Sequence, residues 1–296
     1  MMHFVEALVS AISVGSIYSL LAIALVVVYR ANRTLNFAQG EIGTFTIFIA
    51  FSLINHGWAL GLAAVASIAI GFVVCAAVYY FLVRPLRHRP GWAVVLIGAG
   101  LYLGVNALSG TIWGANPHGF PSIFPNAVGD YFTIAGARVY YYVVGDLAAL
   151  IVLTCVVSLL IGKTSIGLQM RAVAANPQSA DLLGISTARV RLVSWGLAGA
   201  LGSIAGLLTA PVTTLSTQMM LDVLLYGLAA ATLGGLDSLK GAAIGGIAVA
   251  VTTTMLSVYV SWIGQELKEA AAMALIVTVL VVRPSGLFGT AQVQRV

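Results

Sequence analysis

The chain has 296 residues, of which 60% are hydrophobic and only 8% charged, and its formal net charge is +5. Soluble domains carry about 25% charged residues, so a water-exposed globule is excluded and a bilayer must solvate the outer surface. The few basic residues sit at the ends of apolar stretches, which reads as topology-setting loop charge and not as a nucleic-acid surface.

A helix needs roughly 20 apolar residues to cross the hydrocarbon core. The first candidate, 4–29, lacks a basic leader, is too long for a signal peptide and ends at Tyr29-Arg30 with no small-residue cleavage site. It is expected to be a retained first helix. Further segments follow at 41–55, 59–83, 93–112, 139–162, 189–210, 221–235, 241–263 and 268–282. The fold class expected is all-α: one polytopic transmembrane bundle over 1–296, with about 8–10 segments. Cys75 and Cys155 each lie in an apolar run, with no disulfide or metal spacing. His3, His56, His88 and His118 are scattered, without ligand spacing.

Two segments are short. Residues 41–55 and 221–235 hold 15 each, about 22 Å of helix. Each adjoins an unusual stretch. Asn36-Phe37-Ala38-Gln39-Gly40-Glu41 precedes the first, and Gly234-Gly235-Leu236-Asp237 follows the second. Short, interrupted segments in both halves of a membrane chain point to a transport path; the competing reading is ordinary interfacial loops. The first reading puts Asn36, Phe37, Gln39, Gly40, Glu41, Gly234, Gly235 and Asp237 near that path. For Glu41 a second role stays open, since a carboxylate at the start of a helix meets the positive dipole end. Gly202/Gly206, Gly241/Gly245 and Ala242/Gly246 have the four-residue spacing that lets helices approach closely.

Two loops are long. Residues 113–138 hold Pro117, Pro121 and Pro125, then Tyr131 to Ile134, a small-residue turn, and Arg138 to Tyr142. That predicts an irregular stretch followed by a small hairpin. It is either a docking surface for an extracytoplasmic partner or a cap on the bundle. In 163–188, Asn176 is an N-cap, Pro177 suits the first helical position and Gly184 ends the helix. Ser186 or Thr187 then caps the next span. The expected result is a two-turn helix forming a rigid cytoplasmic knob for force transfer; a plain re-orienting loop is the alternative. Arg171, Asn176, Pro177, Ala180, Asp181, Leu182 and Gly184 carry it.

With Arg84, Arg87 and Arg89 placed in the cytoplasm and strict alternation, twelve basic residues fall inside and two, Arg138 and Lys268, outside. Lys and Arg concentrate on the cytoplasmic side, so the N-terminus is expected outside and the C-terminus inside.

Several of these motifs resemble one family. Leu35-Asn36-Phe37-Ala38-Gln39-Gly40-Glu41 resembles the LNFAxGE signature of high-affinity branched-chain amino acid ABC transporter permeases, with Gln39 where the signature often has His. Gly167 to Ala172, Asn176-Pro177 and Ala180 to Ile185 are similar to that family's inner loop, which meets the ATPase subunit. Leu233-Gly234-Gly235 and Arg283 to Gly289 are similar to its later motifs. The resemblance covers nearly the whole chain and is to the shorter, H-type permease. It implies an importer in the bacterial inner (plasma) membrane. The partners it implies are a second homologous permease, two ATP-binding cassette subunits and a periplasmic solute-binding protein. Relatives with this signature also serve urea, short amides, other amino acids and aromatic acids. No GxxxxGK[ST] phosphate loop is present, so no cofactor is expected on this chain and ATP is hydrolysed by partner subunits. An intramembrane enzyme lacks its HExxH or Ser/His signature. A passive channel lacks a concentrated acidic ring.

Overall fold

The computed structural model describes residues 2–86, 91–134, 136–260, 267–283 and 286–289. Arg87, His88, Arg89, Ala135, residues 261–263, Pro284, Ser285 and Arg295 lie outside the described residues. Eleven helices and one small hairpin follow in order: α1 (Met2–Asn32), α2 (Gln39–Asn55), α3 (Leu60–Val78), α4 (Gly91–Trp113), β1 (Tyr131–Ile134), β2 (Ala137–Tyr140), α5 (Tyr141–Lys163), α6 (Ser165–Ala175), α7 (Pro177–Leu182), α8 (Thr187–Thr213), α9 (Met219–Gly234), α10 (Leu239–Tyr259) and α11 (Lys268–Val282). Among the described residues, six helices are long and apolar enough to cross a membrane. The chain is a multi-pass α-helical membrane protein. Each expected segment corresponds to a helix, with ends agreeing within a few residues where they are described. α2, α9 and also α11 are short, at 17, 16 and 15 residues.

Segment 59–83 does not stay α-helical throughout. α3 ends at Val78 and runs into a π turn, Tyr79–Val83, and a 3-10 turn, Arg84–Leu86. Pro85 lacks the N–H that the ladder needs there.

The chain divides into two compact units. One comprises 1–26, 124–154 and 225–296; the other comprises 27–123 and 155–224. In the first, small residues set the packing. A Cβ on Gly246 would collide with Ser19, and one on Gly15 would press on Ile247 and Ala250. The Ser19 hydroxyl donates across this close contact to the Ala243 carbonyl at 2.6 Å. Tyr18 stacks on Tyr226 at 4.7 Å. Ser13 donates to the buried Asp146 carboxylate at 2.5 Å. The hairpin pairs Tyr131 with Tyr140 through Ile134 with Ala137, antiparallel. It is the hairpin the aromatic and β-branched run predicted.

In the second unit, α2 and α3 pack against each other and against α8, and α4 packs against α2. Gly71 and Gly199 meet backbone to backbone at the α3–α8 crossing. Gly43 and Gly206 do the same service between α2 and α8, where the Gly202 carbonyl lies 2.9 Å from a Cβ built on Gly43. Helices without a hydrophobic drive between them cohere through this close van der Waals approach.

Candidate functional site

Two helix breaks occur within the second unit. The first follows α1. Arg33 adopts φ 58 and the chain turns before α2 starts at Gln39. The second follows α8, which contains Pro211 and ends at Thr214 with φ 76. A non-glycine residue with positive φ costs about 1–3 kcal/mol and persists only where its surroundings hold it. For a β-branched threonine it is a true outlier. The second break is pinned by paired hydrogen bonds between His118 and Leu215, both 2.9 Å.

Buried polar side chains fill the first break. Asn36 is 1% exposed and Gln39 0%. The Asn36 carboxamide oxygen accepts from the Ala38 N–H at 3.1 Å, and its Nδ2 donates to Gln39 Oε1 at 3.0 Å. Gln39 Nε2 donates to the Ala198 carbonyl of α8 at 2.6 Å. Phe37 packs beneath Gly98 of α4, and Gly40 lies against the Met220 backbone of α9. Four of the expected path residues are thus gathered at one break.

Glu41 closes the arrangement. It is 1% exposed and lies in the first turn of α2, where the helix dipole favours its charge. Its Oε2 accepts from Asn106 Nδ2 at 3.2 Å, and the same nitrogen donates to the Thr217 carbonyl at 2.9 Å. Asn106 therefore ties α4, the start of α2 and the α8–α9 break together. Glu41 Oε1 and the hydroxyl of Thr44, one turn later, are buried without a hydrogen-bond partner. Sequence reasoning missed Asn106 and the 214–218 break. The available signals were a lone Asn in a 23-residue apolar helix and a Pro-x-x-Thr run before a short segment.

Gly234, Gly235 and Asp237 belong to the other unit. Gly234 touches Gly241 of α10 backbone to backbone, and Gly235 has φ 101. The N–H groups of Leu287 and Phe288 bond to the carbonyls of Leu233 and Gly234 at 2.8 and 3.1 Å. Close packing accounts for both glycines. Asp237 lies half-buried in the turn that follows.

The inner loop holds the expected capped helix, and one more. Asn176 accepts from the Ser179 N–H at 3.0 Å, Pro177 is the first residue of α7, and Gly184 has φ 81. Ser186 caps α8. The addition is α6, capped by Thr164, so the loop is a helical pair and not a single helix between two spans. Asn176 ends α6 and begins α7. Ala180 is buried, while Leu182 and Leu183 are 88% and 79% exposed. Asp181 is exposed and bonds within its own loop, accepting the Thr187 N–H and hydroxyl, each at 3.1 Å. Arg171 donates to the Gly162 carbonyl at 3.3 Å.

Residues 7–282 match the family described as branched-chain amino acid transport system / permease component. The chain is 27% identical over 315 residues to the high-affinity branched-chain amino acid transport system permease protein LivH of Escherichia coli (strain K12), covering 100% of this chain and 98% of that one. It is 30% identical over 263 residues to the probable branched-chain amino acid transport permease protein LivH of Methanocaldococcus jannaschii, covering 85% and 80%. Among solved structures, PsaBC from Streptococcus pneumoniae in complex with Fab aligns with TM-score 0.50 and 15% identity, covering 96% of this chain and 93% of that one; the likeness is one of fold. With a family match running from α1 to the end of α11, this chain belongs to the branched-chain amino acid transport system permease component family.

Proposed function

We propose that this chain is the solute-conducting permease subunit of an ATP-driven importer for branched-chain or chemically related small amino acids and amides. The observation that carries the reading is the network that joins the buried Glu41 to the half-buried Asn106 and Thr217 at two helix breaks. Intramembrane carboxylates are costly and mark solute or ion pathways, and broken helices supply such sites in transporters. Asn36, Phe37, Gln39, Gly40 and Glu41 belong to the path; Gly234, Gly235 and Asp237 shape its counterpart in the other unit. Relatives named for branched-chain amino acid transport support the solute class.

The α6–α7 pair is the coupling element toward two separate ATP-binding cassette subunits, which hydrolyse the ATP. Its solvent-facing Leu182 and Leu183 suit insertion into a partner's cleft, and Asp181 holds the pair to α8. Arg171 anchors α6 to the end of α5. A second homologous permease completes the path, and an extracytoplasmic binding protein delivers solute to the side bearing the hairpin. The chain lies in the plasma membrane with its N-terminus outside and its C-terminus in the cytoplasm. Residues near the starts of both α1 and α5 line one cleft, which supports placing those two starts on the same side.

The test is reconstitution with a second permease, ATPases and a secreted binding protein of the same family from the same organism. Proteoliposomes should take up labelled leucine or a related solute only with ATP and all subunits. ATP-independent flux through this chain alone would make it a channel and overturn the reading.

A further inference from the structure

Within the first unit, the opening turns of α1, strand β2 and the first turn of α5 enclose a cleft of about 310 Å³. Its walls carry Glu6 and Ser10 on α1, Arg138 and Tyr140 on β2, and Tyr142 on α5, with Val9 and Val143 as apolar lining. The transport path uses none of these residues. One acid and one base share a single small cleft, bordered by aromatic rings. Arg138 is steadied over the Tyr131 ring at 5.1 Å, and Tyr140 stacks on Tyr142 at 5.7 Å.

The position of the cleft narrows its occupant. The membrane-spanning stretches Phe4–Asn32 and Tyr141–Lys163 both begin beside it. It therefore sits where hydrocarbon gives way to headgroups, the level at which tyrosine rings settle. Below it, α5 presents Val144, Ile151 and Val152 as exposed apolar surface. A ligand held there extends a polar head into the cleft and alkyl chains along α5.

We propose that this cleft binds the headgroup of a zwitterionic aminophospholipid, phosphatidylethanolamine. The phosphate pairs with the Arg138 guanidinium, a charge-assisted contact with bidentate geometry. The primary ammonium donates to the Glu6 carboxylate and lies against the tyrosine rings. Ser10 supplies a further hydroxyl to the phosphate. Phosphatidylcholine has no N–H for Glu6, and phosphatidylglycerol has no cation, so the arrangement discriminates against both.

Native mass spectrometry of the full chain tests this, after exchange into micelles holding equal amounts of the three lipids with identical acyl chains. The wild type is expected to retain one phosphatidylethanolamine in preference to the other two. E6Q with R138Q should weaken that preference about tenfold, as expected for loss of about 1.4 kcal/mol of charge-assisted contact, with R138K retaining most of it. Equal retention of the three lipids overturns the proposal. So does an unchanged preference in the double variant while its thermal unfolding matches the wild type. Displacement of the lipid by millimolar leucine assigns the cleft to free amino acid and also overturns it. Should the double variant not fold, E6Q alone decides: a lowered ethanolamine-to-glycerol ratio supports the site, and an unchanged ratio refutes it.

Discussion

Replacing Asn106 by Ala removes both hydrogen bonds that its Nδ2 makes, at 3.2 Å to Glu41 Oε2 and 2.9 Å to the Thr217 carbonyl. Interhelical hydrogen bonds in membrane proteins average about 0.6 kcal/mol and reach about 1.7. Leaving a buried acceptor without its donor costs about 1–3 kcal/mol. Here the upper end applies, because Glu41 Oε1 already lacks a partner and the substitution strips Oε2 as well. Asn106→Ala should therefore destabilise the chain by about 2–3 kcal/mol. The assay is reversible denaturant unfolding of the full chain in mixed micelles, run as a cycle with Glu41→Ala. Removing the carboxylate removes the reason for the donor, so the double variant should recover about 1 kcal/mol or more relative to the sum of the singles. Additivity within about 0.3–0.5 kcal/mol is what independent sites show, and it would refute the claim that these side chains act as one unit. In the reconstituted transporter, Asn106→Ala should also slow uptake in proportion to the loosened break at 214–218.

At the α3–α8 crossing, Gly199→Ala forces a Cβ onto the Gly71 backbone and within 2.6 Å of Cys75 Cβ. No flexible side-chain end can yield there, so a loss of about 1–3 kcal/mol is expected, whereas Gly104→Ala on α4, with open space around it, should be neutral or gain about 0.5–1 kcal/mol. Thermal unfolding of the two variants side by side checks the contrast. Ser13→Ala leaves the buried Asp146 without the Ser13 donor and should lower stability by about 1–3 kcal/mol, with Ser13→Thr restoring part of it. Leu182→Ser with Leu183→Ser should leave unfolding within about 0.5 kcal/mol of wild type, since both side chains face solvent, yet depress solute-stimulated ATPase activity of the assembled transporter; unchanged stimulation would show that α7 is not the coupling contact.

Apolar length and loop punctuation make most of the fold legible in the sequence. The spans were legible because a bilayer demands about 20 apolar residues and leaves little room for alternatives. α7 was legible because Asn176, Pro177 and Gly184 each answer a local backbone need. α6 was not, although Thr164 caps it and Met170 to Ala175 are largely good helix formers, because its eleven residues carry no span-length signal. The Asn36–Glu41 half of the site was marked by polar residues crowded at a span start. Asn106 was invisible in that role, since its partner Glu41 is 65 positions away in the chain. Only packing brings α2 and α4 together. Gly234 and Gly235 were legible as glycines next to a short segment, but their close seat for α10 and for the 286–288 segment comes only from packing.

The joint between α6 and α7 has a mechanical consequence. Asn176 closes one helix and opens the next, so no spare residue separates them. An elbow without slack cannot absorb a push by bending a linker. On the proposed coupling role, a displacement of α7 would pass along α6 toward the end of α5 and through the Asp181–Thr187 clasp into α8. α8 is the helix whose far end stops at the strained Thr214, so the same coupling would join the α6–α7 elbow to the break beside Asn106 through a single helix.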